Sequence, residues 1–235
     1  MKLSFIVPAH NEEHELPGTL SAIHAAAAGH EYEIVVVDDA STDATAAIAH
    51  AHGARVNHVQ LRQISAVRNA GARVATGDIF FFVDADTRIS ASHVSAALAA
   101  LADGCAGGSA RVAFDAEVPL WARIYVRGFS IIYFAMNLGV GAFLFMTREG
   151  FEATGGFDEQ YFAGEEAYLS IALKKLGRFQ LLTEPIVTSA RKIRMHKPTF
   201  VLWQSFLIFF GGPRVLRKRQ NLDLWYDGKR EQKPA

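Results

Sequence analysis

Ile79-Phe80-Phe81-Phe82-Val83-Asp84-Ala85-Asp86 is a run of five apolar residues followed at once by two acids one residue apart. A continuous apolar run of that length reads as a strand buried on both faces, and the carboxylates behind it mark the strand's carboxyl end. The same grammar recurs toward the N-terminus. Leu3 to Val7 is a short apolar run closed by Pro8, and Ile34 to Val37 is another, β-branched and bounded by Asp38 and Asp39. Between them Leu16, Leu20, Ile23 and Ala27 recur at helical spacing. After the second run, Ser41, Thr42 and Asp43 offer N-caps to an alanine-rich helix stopped by Gly53. A strand over Arg55 to Val59 and a helix through Ile64 to Val74 complete the alternation. Strand and helix in turn predict an α/β fold with a Rossmann-like, mostly parallel sheet flanked by helices on both faces.

Composition narrows the function classes. Of 235 residues, 50% are hydrophobic and 20% charged, which supplies a sizeable core and excludes a disordered chain. Lys and Arg number 24 against 24 Asp and Glu, so nucleic acid is not expected as a partner. The charges are unevenly spread. From Pro185 onward 11 basic residues face 3 acidic ones, which leaves an acidic body with a basic tail. The single cysteine, Cys105, excludes an intramolecular disulfide and any CxxC metal site and fits a reducing compartment. The N-terminal apolar run is too short and too early for a signal-peptide core, so the expected location is cytoplasmic.

In open α/β sheets ligands bind outside the carboxyl ends of the strands. Here those positions hold His10, Asn11, Glu12 and Glu13, then Asp38 and Asp39, then Asp84 and Asp86. Unit charges about 4 Å apart interact at about 4 kcal/mol at an effective dielectric near 20, so such a rim requires a positive partner. Asp84 and Asp86, at i and i+2 in extended backbone, point to one side and can share a hard divalent cation, Mg²⁺ or Mn²⁺, with positions left for phosphate oxygens. No GxGxxG follows a strand and no GxxxxGK[ST] occurs, so phosphate binding falls to the cation. Asp38 and Asp39 accept hydrogen bonds only, which suits a base N–H or ribose hydroxyls, or a helix cap. Arg68 reads either as a counter-charge to the acids or diphosphate, or as a solvated charge on its helix.

The successive motifs Ile6-Val7-Pro8-Ala9-His10-Asn11-Glu12, Val36-Val37-Asp38-Asp39-Ala40-Ser41-Thr42-Asp43, Val67-Arg68-Asn69-Ala70-Gly71 and Val83-Asp84-Ala85-Asp86 resemble the signatures of family-two glycosyltransferases with the GT-A fold. Gly155-Gly156-Phe157-Asp158-Glu159 and Gly164-Glu165-Glu166 resemble that family's acceptor segment and the acidic pair opening the next helix. The resemblance covers roughly the first three quarters of the chain. It implies a nucleotide diphosphate sugar as donor and a divalent cation as cofactor. Asp39 would face the base with Pro8, Ala9 and Glu12 beside it, and Arg68 would approach the base or diphosphate. Asp84 would meet ribose or metal-bound water, and Asp86 the metal itself. Glu166 falls where the family places an aspartate that deprotonates the acceptor in inverting transfer. A glutamate there adds one methylene and moves the carboxylate by about 1.5 Å, so Glu165 remains a rival base, and both also read as helix N-terminal charge. His196 reads as a further metal or phosphate ligand or as a surface histidine. The QxxRW-type motif of processive synthases is absent, which favours nonprocessive transfer.

The expected layout is a catalytic body over residues 1–185, nucleotide-binding through 104 and acceptor-binding from 105, with a helical extension over 186–235. Phe129 to Met146 is nearly all apolar, but a single membrane crossing there would separate Asp84 and Asp86 from Glu165 and Glu166; it reads as a buried helix followed by a core strand. Phe200 to Phe210 is too short to span, yet basic residues flank it across 191–219. That suits a helix in an anionic headgroup layer, peripheral to the inner face of a membrane, with a lipid-linked acceptor, or else a docked terminal helix. The alternative from another class is a noncatalytic nucleotide-binding or membrane-scaffolding domain that retains the fold.

Overall fold

Four parallel strands frame the molecule: β1 (Lys2–Ala9), β2 (Glu31–Asp39), β3 (Arg55–Val59) and β4 (Ile79–Val83), in the order β3-β2-β1-β4. The computed structural model describes residues 1–116, 118–210 and 212–226. Helices α1 (Leu16–Ala26), α2 (Thr45–Ala51) and α3 (Ile64–Val74) make the crossovers. Because successive strand residues point to opposite faces, Phe5, Val7, Val36 and Phe81 pack on α1 and α2 while Ile6, Val35, Val37 and Phe82 pack on α3. β1 continues past Pro8, whose missing N–H is tolerated because pairing with β4 ends at Ile6 and Phe82.

The sheet then changes character. A two-residue strand β5 (Thr87–Arg88) and helix α4 (Ala91–Ala102) precede β6 (Cys105–Phe114), helix α5 (Leu120–Ala135) and β7 (Phe143–Thr147). Helices α6 (Arg148–Thr154) and α7 (Glu165–Lys174) lead to β8 (Arg178–Thr188). β7 runs antiparallel to both β4 and β6, β8 runs parallel to β6, and β5 closes the edge against β8, giving one eight-stranded sheet among the described residues. Short helices α8 (Arg191–Met195), α9 (Pro198–Phe210), α10 (Gly212–Leu216) and α11 (Asp223–Tyr226) follow.

The apolar segment 129–146 divides as expected into a helix and a core strand, but the helix is not buried. Phe143 to Met146 are fully inside, whereas Leu120, Ile124 and Ile131 of α5 are about two-thirds exposed at 68, 65 and 66%. The physical reason is competition for the sheet. α4 covers one face of β6 and β7, α6 and α7 cover the other, and α5 is left to lie across the strand ends. Among the described residues no helix is long and apolar enough to cross a membrane. The C-terminal helices dock through Leu216 and Leu222, which cluster with Tyr161 and Ala163, while Leu202, Trp203 and Phe206 on α9 stay exposed.

β1 sits between β2 and β4, and the chain reverses its direction of travel across the sheet there, so the crevice at the carboxyl ends of β1 and β4 is the topological switch point. Close approach of α3 to this crevice depends on Gly71. A Cβ there would lie 2.4 Å from Ile6 Cγ2 and 2.7 Å from Val37 Cγ2. Gly71→Ala is therefore expected to destabilise the fold by about 1–3 kcal/mol through overpacking, measured as a lowered urea midpoint.

Candidate active site

A cavity of about 760 Å³ opens at that crevice, and its walls include Asp39, Arg68, Asp84, Asp86, Glu165 and Glu166. Pro8, Ala9 and Glu12 also line it, whereas Asp38 and His196 do not. The loops that carry these groups are laced to one another. After β1, Asn11 takes a positive φ of 53°, its side chain accepts the Thr42 backbone N–H at 2.8 Å, and the Glu12 N–H donates to Thr45 Oγ1 at 2.7 Å. The carboxylate of Asp39 accepts the backbone N–H groups of Leu61 at 2.7 Å and Arg62 at 2.9 Å, which ties the end of β2 to the entrance of α3. Asp38 points away: it accepts the Ser41 N–H at 3.2 Å and lies 3.0 Å from His58 Nδ1, and neither aspartate caps α2. His10 Nδ1 sits 2.7 Å from the Asp39 carbonyl. The His196 ring lies 5.2 Å from that of Phe200.

Arg68 is the central cation. Its side chain is 3% exposed; it donates to Glu165 Oε1 at 2.6 Å, to Asp84 Oδ1 at 2.8 Å and to the Gly141 carbonyl at 2.9 Å, and its guanidinium lies over the Phe157 ring. Burial works against its charge, but Asp84, Glu165 and Glu166 outweigh that and hold it firmly cationic. The reading of Arg68 as a solvated helix-face charge thus gives way to a buried one.

A second guanidinium, read from the sequence only as part of the basic flank over 191–219, comes from the far end of the chain and is buried. Arg191 forks onto the Glu12 carboxylate, with Nη2 2.6 Å from Oε1, and the same Nη2 stands 3.1 Å from Asp86 Oδ2. Asp86 also accepts the Thr188 hydroxyl at 3.3 Å. Burial raises the Asp86 pKa to about 6; Arg191 opposes the shift and Glu12 and Asp84 add to it. The available signal was positional: Arg191 stands three residues beyond the end of β8, at the same sheet edge as the other site loops. Tyr133 was also missed, because nothing distinguishes it within an apolar helix; its hydroxyl donates to Glu166 Oε1 at 3.3 Å.

The acidic pair opening α7 is divided in its duties. Glu165 is committed to Arg68, whereas among the described residues no guanidinium is in hydrogen-bond contact with Glu166. Burial, reinforced by the neighbouring Glu165 charge, lifts Glu166 to a pKa of about 8 against the opposing field of Arg68. Burial pushes Glu165 up as well, with Arg68 opposing it. Among the described residues no group of three or more His, Cys, Asp or Glu side chains is arranged to hold a metal. Asp84 and Asp86 nevertheless offer hard carboxylate oxygens. That set fits Mg²⁺ or Mn²⁺, which use one or two carboxylates and take further ligands from substrate phosphates.

The sequence profile of glycosyl transferase family 2 matches residues 4–154, more than half of the chain. The chain belongs to this family. An uncharacterized glycosyltransferase of Mycobacterium tuberculosis is 35% identical over 102 residues, 43% of this chain and 44% of that protein. The dolichol-phosphate mannosyltransferase of Pyrococcus furiosus is 36% identical over 91 residues, 37% of this chain and 26% of that one. The alignments thus span less than half the length of these curated relatives. Among solved structures, a mannosyltransferase from Pyrobaculum calidifontis in complex with GDP-Man and Mn²⁺ superimposes with a TM-score of 0.66 at 20% identity, covering 96% of this chain and 73% of the other. The fold of this family-two chain is accordingly the GT-A fold that its motifs implied.

Removing the central cation of the family-two site leaves Asp84 and Glu165 facing each other unpaired. Arg68→Met is expected to cost about 3–5 kcal/mol of stability, read from urea or thermal denaturation.

Proposed function

We propose that the chain transfers a sugar from a nucleotide diphosphate donor to an acceptor hydroxyl, without processive elongation, through an inverting displacement with Glu166 as general base. The observation that carries this reading is the convergence on one cavity of Asp39 from the end of β2, Arg68 from α3, Asp84 and Asp86 from the loop after β4, and Glu166 from the start of α7. Asp39, with Pro8, Ala9 and Glu12 beside it, suits the base and ribose end of the donor; Asp38 shapes the turn behind them. A divalent cation held by Asp84 and Asp86 would neutralise charge on the diphosphate. His196, outside the cavity lining, is given no part.

The chemistry follows from where charge moves. The acceptor O–H gives its proton to Glu166 as the acceptor oxygen bonds to the anomeric carbon. The bond to the diphosphate breaks on the opposite side, and its electron pair leaves with the phosphate oxygen. Arg68, fixed and cationic beside Asp84, stabilises that growing negative charge more than the ground state. Glu166 is favoured over Glu165 as the base because Glu165 is already committed to Arg68. The Tyr133 hydroxyl orients Glu166.

The acceptor reading comes from the rest of the cavity. Away from the carboxylates its walls include Val126, Phe134, Val201, Ile208, Leu216 and Leu224, which suits an acceptor bearing an apolar group, such as a lipid-linked one. The name of the Pyrococcus relative points to a lipid phosphate in that protein. The exposed Trp203 and Phe206 stack at 5.9 Å on α9, between the basic residues of 191–219. We assign the exposed part of that segment, Leu202, Trp203 and Phe206 with the flanking basic residues other than the buried Arg191, to contact with an anionic membrane surface on its cytoplasmic side; residues 1–185 form the catalytic body, and the extension over 186–235 adds Arg191 and part of the apolar wall to its site.

Binding of UDP, GDP and dTDP, with and without Mn²⁺, tests the donor assignment. One nucleotide is expected to bind in a metal-dependent manner, and Asp86→Ala is expected to abolish that binding; equal binding by the variant rejects the role of Asp86. A noncatalytic module would bind nucleotide and hydrolyse or transfer nothing. Glu166→Gln is expected to lower kcat by about 10²–10⁴-fold while leaving nucleotide affinity unchanged. Since Glu166 must be deprotonated to act, wild-type kcat/KM is expected to climb with pH and level off above about 8, and the Gln variant to lose that limb.

A further inference from the structure

The side chain of Arg191 is 10% exposed and reaches back across the site from the segment after β8, a separation of 179 residues from Glu12. The main chain beside it is pinned to the same loops. The Ser189 N–H donates to the Asp86 carbonyl at 3.2 Å, and the Ala190 N–H donates to the Asp115 carboxylate at 3.0 Å. Both carboxylate oxygens of Asp86 are consequently engaged, Oδ1 by the Thr188 hydroxyl and Oδ2 by Arg191. A divalent ion arriving at Asp86 alone meets a cation already on that carboxylate. The two repel, and the tethered one is present at the high effective concentration of an intramolecular partner. A diphosphate changes the balance, because it adds negative charge and offers the guanidinium phosphate oxygens in a geometry that it binds well.

We propose that Arg191 is a tethered counter-cation that keeps a divalent ion off Asp86 in the donor-free site and gives way when a nucleotide diphosphate enters, so that metal and donor bind together. The inference rests on the reading of Asp86 as a metal ligand. Its value to such an enzyme is that a site rich in carboxylates stays neutralised and folded before substrate arrives, without capturing free metal.

The test uses Mn²⁺ alone, titrated onto the full chain and followed by the electron paramagnetic resonance signal of the free ion. Wild type is expected to bind weakly, and Arg191→Gln about tenfold more tightly or better, because the guanidinium that stands on the Asp86 carboxylate is gone. Thermal unfolding of the same samples is expected to show a larger Mn²⁺-induced rise in Tm for the Gln variant than for wild type. Adding Asp86→Asn to Arg191→Gln is expected to return Mn²⁺ binding to weak. Arg191→Lys, which keeps the charge and loses the fork on Glu12, is expected to bind Mn²⁺ more weakly than the Gln variant; Arg191→Met decides the matter if the Gln variant does not fold. Mn²⁺ binding by Arg191→Gln, or by Arg191→Met in that event, no tighter than by wild type overturns the proposal. If wild type still binds Mn²⁺ together with UDP, GDP or dTDP, only the role of Arg191 falls. If no form binds Mn²⁺ with any of these nucleotides, the metal reading of Asp86 falls and takes the proposal with it.

Discussion

Too many carboxylates meet at one sheet edge to coexist unaided, and two buried guanidiniums hold them there. Arg68 joins the end of β4, through Asp84, to the start of α7, through Glu165, across 97 residues of sequence. Arg191 joins the loop after β1 to the loop after β4 across a longer separation still. Buried ion pairs of this kind contribute little net stability over an apolar packing of equal volume, because desolvation offsets the attraction. What they supply is position. Each arginine has several donors in a fixed plane, so the carboxylates it engages are fixed relative to one another as well as to it. The helices above can rearrange only by leaving buried charge unpaired.

That frame also sorts the acids chemically. Burial pushes Asp86 and Glu165 upward against the guanidiniums they touch, whereas Glu166, buried beside the Glu165 charge with the Tyr133 hydroxyl and the more distant field of Arg68 opposing, is lifted to about 8. A carboxyl group whose pKa lies near ambient pH accepts and returns protons readily, which is the property that a general base needs. Two adjacent glutamates on one helix are thereby directed to different work. One anchors Arg68, and the other accepts the Tyr133 hydroxyl at the cavity wall.

Much of this was legible along the chain, and for a common reason. β3 at Arg55–Val59, α3 at Ile64–Val74 and β4 at Ile79–Val83 fall where their apolar patterns placed them, because a buried strand or an amphipathic helix declares its period locally. The acids after β1, β2 and β4 were legible too, since a parallel sheet sends every carboxyl end to one edge. α5 was misjudged as buried, because its apolar text does not say that the sheet faces beside it are already covered by α4, α6 and α7. Arg191 escaped because it sits in a run of basic residues, where nothing in the text separates a buried guanidinium from solvated neighbours.

The sequence by itself determined the α/β alternation, the parallel half of the sheet, the acidic rim and the family, all of which follow from short-range pattern and from strand polarity. Tertiary structure alone decided which cations meet those acids, which member of the Glu165 and Glu166 pair is engaged by Arg68, and where the apolar wall of the cavity lies. The physical reason is that electrostatic partnership depends on distance and burial in three dimensions, and the residues concerned lie up to 179 positions apart in the chain.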